Sequence, residues 1–174
     1  MEEDSVSLEI ERLFNEDQAD RKTETIDWTV VGPRDKERAT RIKQLYDSGL
    51  ITTPQNEWHA AFIFQHCGGE QIGSEAAIEY LKMANELARR AMLKGYEPAK
   101  WIFAASEDRL LVQQGKLQKY GTQYERNAEG VFDLSPFEPS TTDEERAKFN
   151  VPSLAEAKKK GIEKTEKWNK IFKV

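Results

Sequence analysis

This sequence is poor in the residues that usually advertise chemistry: among 174 residues there is one cysteine, Cys67, and two histidines, His59 and His66. A single cysteine excludes an intrachain disulfide and a thiolate metal cluster. No segment approaches the roughly 18 consecutive apolar residues of a membrane span, so no membrane partner is expected. The opening residues, Met1-Glu2-Glu3-Asp4, carry neither a basic region nor an apolar run. No classical signal peptide is therefore expected, and a cytoplasmic location is the default. Cys67-Gly68-Gly69 and Glu70-Gln71-Ile72-Gly73 match neither a phosphate loop nor a dinucleotide fingerprint, and no serine-nucleophile elbow is present. No cofactor is implied.

An excess of positive charge is also missing. The net charge is −5 and the isoelectric point about 5.3, which argues against a surface that tracks phosphates. Lys158-Lys159-Lys160 is interleaved with Glu156, Glu163 and Glu166 and reads as a solvated helix face. No nucleic-acid partner is expected, and oligomeric state is not written in the composition.

What is present is a balanced globular chain, 38% hydrophobic and 33% charged. Its length fits one domain that buries about two-thirds of the unfolded surface. Periodicity predicts a helix over 5–25 with Leu8, Ile10, Leu13 and Phe14 on its apolar side. Trp28 to Val31 reads as a short apolar run stopped by a Gly32-Pro33 turn. A second helix follows over 35–46, closed by Ser48-Gly49. Thr53-Pro54 looks like an N-cap with proline at the first helical position, opening the helix that carries both histidines, which Gly68-Gly69 stops. Ser74 caps a helix to about Lys94, and Pro98 opens another to Gly115. The segments 117–125 and 131–134 flank Asn127-Ala128-Glu129-Gly130 and read as a β-hairpin. A short helix over 143–148 and a charged one over 153–172 complete the chain. The fold class expected is a mainly α, bundle-like single domain over 1–174 with a small hairpin in its C-terminal half. Its parts are a helical core over about 5–115, hairpin and loop over 116–142, and C-terminal helices over 143–173.

Polar residues continue the apolar stripes of three helices. Helical steps from Ile10, Leu13 and Phe14 lead to Asp17, Gln18 and Arg21. His59, Phe62, Ile63 and His66 share one face at i, i+3, i+4 and i+7. Trp101, Ala104 and Ala105 lead to Asp108. Inward ionisable groups must find partners or shift their pKa, so Asp17, Arg21, His59, His66 and Asp108 are expected to meet in one polar cluster. The competing explanation is a purely structural network, with Asp17 pairing Arg21 at i, i+4.

Metal chemistry is not expected from the histidines. Seven residues span about 10.5 Å along a helix, too far for two imidazoles to converge on one ion at about 2.0–2.1 Å. Histidines at the two ends of a substrate suit the spacing better. Cys67 and His66, as neighbours on a helix, point about 100° apart and do not form a Cys–His pair naturally. The run 115–124 is read as a strand in which Gln118, Tyr120, Thr122 and Tyr124 share one face and Leu117, Lys119 and Gln123 the other. Gly121 within it suggests a bulge or a close approach to a ligand. Its amides and hydroxyls could orient a polar small molecule or merely finish a hairpin edge.

The ordered motifs Glu16-Asp17-Gln18 with Arg21, His59-Ala60-Ala61 through Gln65-His66, Glu107-Asp108-Arg109-Leu110 and Gly115 to Gln123 make a recognisable series. Asp143…Arg146 and Pro152-Ser153-Leu154-Ala155-Glu156 extend it. Over about 9–157 the chain resembles a mostly bacterial helical domain family of unknown function. In that family alanine and aspartate follow the second histidine, where Cys67 and Gly68 stand here. The resemblance brings no reaction with it.

The expectation is a cofactor-independent enzyme acting on a small polar molecule by general acid–base chemistry, through hydrolysis, elimination, isomerisation or cyclisation. His59 or His66 would serve as base and acid, and Asp17 or Asp108 would orient an imidazole. Arg21 or Arg109 would bind an anionic group, with Gln65, Gln118, Tyr120, Thr122 and Gln123 as further substrate contacts. The pocket would lie between the first, third and fifth helices, closed on one side by Tyr120-Gly121-Thr122-Gln123. The alternative is a non-catalytic small-molecule or peptide binding module using the same pocket.

Overall fold

The computed structural model describes residues 2–67 and 74–172. Among the described residues there are seven helices and one two-stranded hairpin, and no helix is long and apolar enough to cross a membrane. Helix α1 (Glu2–Asp20) buries Val6, Ile10, Leu13 and, one turn on, Asp17. It ends before Thr23 and Thr25, because the polar stretch after Arg21 offers no apolar side chain to bury. The last turn tightens through Arg21 N–H to the Gln18 carbonyl at 3.3 Å and Lys22 N–H to the Ala19 carbonyl at 3.2 Å.

Helix α2 (Trp28–Asp47) corrects the expected turn at Gly32-Pro33, since one continuous helix runs through it. Asp27 caps it, accepting from the Thr29 amide at 3.0 Å and hydroxyl at 2.6 Å. Pro33 then lies near the start, where it removes a single amide donor, and Val31, Ala39, Ile42 and Leu45 are buried along the helix. A favourable cap and a buried stripe outweigh that lost bond.

Helix α3 (Pro54–Cys67) is the central element. Thr53 Oγ1 accepts from the Asn56 amide at 3.2 Å, as an N-cap should, and buried residues occur all round the helix. It packs against α1, α2, α4 (Glu75–Leu93) and α5 (Ala99–Gln113). Small residues permit the close approach: Ala77, Ala84, Ala88 and Ala91 of α4 and Ala99, Ala104 and Ala105 of α5 are all buried. Ser74 caps α4 through the Ala77 amide at 3.1 Å. The predicted stop at Gly68-Gly69 lies outside the described residues.

The second half departs from its reading as a long strand pair. Only β1 (Tyr124–Arg126) and β2 (Phe132–Leu134) pair, antiparallel, with Tyr124 opposite Leu134. Residues 118–123 form a loop rather than a strand, touching Phe137 through one bridge at Gln118. The alternation holds as far as Tyr120, with Gln118 and Tyr120 buried and Leu117 and Lys119 exposed. It breaks at Gly121, whose φ of +75° turns the backbone out of strand geometry. Helix α6 (Asp143–Lys148) opens on a Thr142/Glu145 capping box. Helix α7 (Leu154–Phe172) lies on β2, where Trp168 meets Phe132 edge-on at 5.7 Å and Thr165 Oγ1 accepts from the Phe132 amide at 2.9 Å.

Candidate functional site

His66, in the last turn of α3, faces Asp17, near the end of α1. Its Nδ1 is 2.9 and 2.8 Å from the two carboxylate oxygens. A carboxylate only accepts, so Nδ1 carries the proton and Nε2 keeps the lone pair. Asp17 is buried and also accepts from Gln18 Nε2 at 2.8 Å and Arg21 Nη1 at 2.9 Å. Burial pushes the His66 pKa below its ordinary value. Asp17 pulls the other way, and the charges of Arg21 and Arg109 reinforce the drop. The imidazole is thus a neutral, oriented base at neutral pH, held by a positioned carboxylate.

Arg21, in the turn directly after α1, bridges to a second buried carboxylate: its Nη2 is 2.5 Å from Asp35. Asp35 pairs with Arg38 at 2.6 Å, and Asp20 receives Arg38 and Arg34 at 2.9 Å each. The sequence reading did not single out Asp20, Asp35 or Arg38. The signal was present, because Asp35 sits at i+4 from Val31 and i−4 from Ala39 on the inner stripe of α2. Breaking that helix at Gly32-Pro33 hid it.

Beside the His66–Asp17 pair lies a cleft of about 1300 Å³. His66 of α3 and Arg109 and Val112 of α5 line one part; Trp28, Pro33 and Lys36 of α2 line another. Gln123, Tyr124 and Ser135 of the hairpin region, Lys164 of α7, and Arg21 and Ile26 between α1 and α2 add to it. The pocket expected between the first, third and fifth helices is instead walled by α2, α3, α5 and α7, with Arg21 from the turn after α1 standing in for the first helix. Trp28, Lys36 and Lys164 were not anticipated, and no local pattern marks them, since each is an exposed position on its own helix.

Arg109 reaches the cleft under tight control. Its Nε donates to Gln123 Oε1 at 3.0 Å and its Nη1 to the Gln65 carbonyl at 2.9 Å. Gln123 is oriented in turn, because its Nε2 donates to the Thr122 hydroxyl at 2.9 Å and the Ala105 carbonyl at 3.3 Å. Burial, with the nearby Arg21 charge, brings the Arg109 pKa down to about 10.

Asp108 stands apart from this chemistry. It is buried, and its oxygens accept from the amides of Lys119 (2.7 Å), Tyr120 (2.8 Å) and Thr122 (2.9 Å) and from the Thr122 hydroxyl (2.8 Å). Four bonds fill a carboxylate's acceptor capacity. Asp108 is therefore placed to shape the 119–122 loop, not to orient an imidazole. From the other side the buried Arg146 donates its Nη1 to the Tyr120 carbonyl. The close approach anticipated at Gly121 is filled by that guanidinium.

The remaining expected contacts also serve the loop. Gln118 is wholly buried, donating to the Gln123 carbonyl at 2.9 Å and the Ser135 carbonyl at 2.7 Å and accepting from the Gln123 amide at 2.8 Å. The Tyr120 ring packs on Phe149 at 4.9 Å.

His59 is buried too, stacked on Phe14 at 4.2 Å with Nδ1 lacking a hydrogen bond among the described residues. Burial lowers its pKa to about 4. Gln65 points its buried Oε1 at no donor among the described residues and contributes through its backbone carbonyl. Of the five residues expected in one cluster, Arg21 and His66 line the cleft and Asp17 lies directly behind them. His59 and Asp108 are elsewhere, as are the Gln65, Gln118, Tyr120 and Thr122 side chains, whereas Arg109 and Gln123 line it.

Among the described residues no group of three or more His, Cys, Asp or Glu side chains is arranged to hold a metal ion. Compared with protein-family models, curated proteins and solved structures, the chain matches none of them.

Proposed function

We propose that this protein is a cofactor-independent enzyme acting on a small polar molecule by general acid–base chemistry, with His66 as the proton-transfer group. The observation that carries this reading is the His66–Asp17 pair, 2.8 Å apart, with the imidazole lining an open cleft. Asp17 fixes the Nδ1–H tautomer and the ring angle, as a positioning residue. Nε2 is then free to take a proton from a bound substrate and return it later in the cycle. Asp17 also favours the imidazolium that forms once the proton arrives, while Arg21 keeps that stabilisation modest. Hydrolysis, elimination, isomerisation and cyclisation each need such a step.

The ligand that copurifies, identified by native mass spectrometry, supplies the compound on which turnover is measured. In His66→Gln and Asp17→Asn the rate falls at least about a hundredfold, the lower end of a general acid–base contribution, while binding persists. His66→Gln with unchanged turnover overturns the proposal. A second reading is a non-catalytic binding module, favoured by the Arg21–Asp17 ion pair at 2.9 Å, which by itself accounts for a buried carboxylate. In that case the ligand emerges chemically unchanged from wild type and variants alike.

A further inference from the structure

We propose that the cleft takes a small organic polyanion, carrying at least two negative charges, held by Arg109 from α5, Lys36 from α2 and Lys164 from α7. This rests on reading the cleft as the working site and names the class of molecule it takes.

The chain carries a net charge of −5, yet the described residues lining this cleft include Arg21, Lys36, Arg109 and Lys164 and no carboxylate. Arg21 is already compensated, by Asp17 at 2.9 Å and Asp35 at 2.5 Å. The other three have no ion-pair partner among the described residues. Arg109 is the decisive one. Its two hydrogen-bond acceptors among the described residues, Gln123 Oε1 and the Gln65 carbonyl, are both neutral. A partly buried guanidinium without a counter-ion among the described residues is costly, and the cost is relieved when an anion arrives.

The fold nevertheless aims this side chain with care. Asp108 organises the 119–122 loop, Thr122 and Ala105 orient Gln123, and Gln123 holds Arg109. The Lys164 Nζ lies 5.2 Å from the Tyr124 ring centroid. Three uncompensated cations lining one cleft favour a multiply charged ligand over a single carboxylate. Ile26, Trp28 and Val112 add an apolar wall on which an organic body can rest. Trp28 is 58% exposed there, unusually open for so large a side chain.

The test uses the full chain at constant ionic strength with four probes of similar body: phenyl phosphate, phthalate, benzoate and benzyl alcohol. Calorimetry and tryptophan fluorescence read binding. At least one dianion should bind saturably, about tenfold or more tighter than benzoate, with benzyl alcohol inert. Phenyl phosphate ahead of phthalate assigns a phosphate head; the reverse assigns a dicarboxylate. The double variant Lys36→Gln, Lys164→Gln changes exposed side chains and keeps the fold. It should weaken the dianion about tenfold or more while altering benzoate little. Arg109→Lys keeps the charge, loses the planar fork, and weakens the dianion as well.

Equal binding of benzoate and the dianions, an unaffected double variant, or no dianion binding below about 10 mM overturns the proposal. None of these readouts needs turnover, so their failure leaves the His66 reading untouched. Conversely, dianion binding with no bound anion ever turned over removes the acid–base reading and leaves the polyanion cleft in place.

Discussion

Replacing Asp108 by asparagine isolates the carboxylate that shapes the loop behind Arg109. One oxygen survives and the other becomes an amino group, so one set of donors must face a donor. The better orientation keeps the oxygen toward the Lys119 and Tyr120 amides, at 2.7 and 2.8 Å in the wild type. The new amino group then faces Thr122, whose hydroxyl can turn to accept but whose amide, now 2.9 Å from Oδ2, cannot. One amide loses its acceptor, costing about 1–3 kcal/mol, and two bonds fall from charge-assisted to neutral strength, about 1 kcal/mol each. The expected loss is about 3–5 kcal/mol, or roughly 6–20 °C in Tm for a chain of this length. Urea unfolding measures the loss, and hydrogen exchange locates it in the amides of 119–123. Asp108→Ala, which strips every acceptor, should cost more. A loss below about 1 kcal/mol with those amides still protected would refute the assignment of Asp108 as the organiser of this loop.

His59→Phe retains the ring stacked on Phe14 and removes a buried nitrogen without a partner. Because burial holds the folded-state pKa at about 4, the unfolded chain, near 6.5, takes the proton first. Stability is therefore full above about pH 6.5 and falls as pH drops toward 4, by about 2 kcal/mol at pH 5 from this residue. His59→Phe should flatten that slope in urea midpoints, with His66 and the arginine-paired carboxylates Glu9 and Asp20 supplying what remains, and an unchanged slope refutes the attribution. Asp35→Asn leaves the Arg21 and Arg38 guanidinium groups short of their shared counter-ion and should cost about 3–5 kcal/mol; a loss under 1 kcal/mol by the same assay would count against the network. Gly161→Ala would place a methyl group 2.7 Å from the Phe132 carbonyl oxygen. Despite a gain of about 1 kcal/mol in helix propensity, a thermal melt should show net destabilisation and hydrogen exchange a loosened α7; a more stable variant contradicts the close seating of α7 on β2.

Sequence by itself determined the elements whose signals are local. Thr53-Pro54 and Ser74 begin helices where their side chains can cap amides two or three residues on, and that chemistry does not depend on distant residues. Helical spacing likewise placed Asp17 and Asp108 on inner faces, because period alone decides which side chains share a stripe. It could not say what they would meet. Asp17 found His66, 49 residues away, whereas Asp108 turned to the backbone amides of a nearby loop. Gly32-Pro33 carries a strong turn signal, and only the Asp27 cap together with burial against the other helices overrode it. Arg109 stood out in the sequence as a candidate anion binder, but the convergence of Lys36 and Lys164 beside it belongs wholly to the tertiary structure. Those two are unremarkable cations on their own segments, and the shared field exists only once packing has set α2, α5 and α7 around the same space.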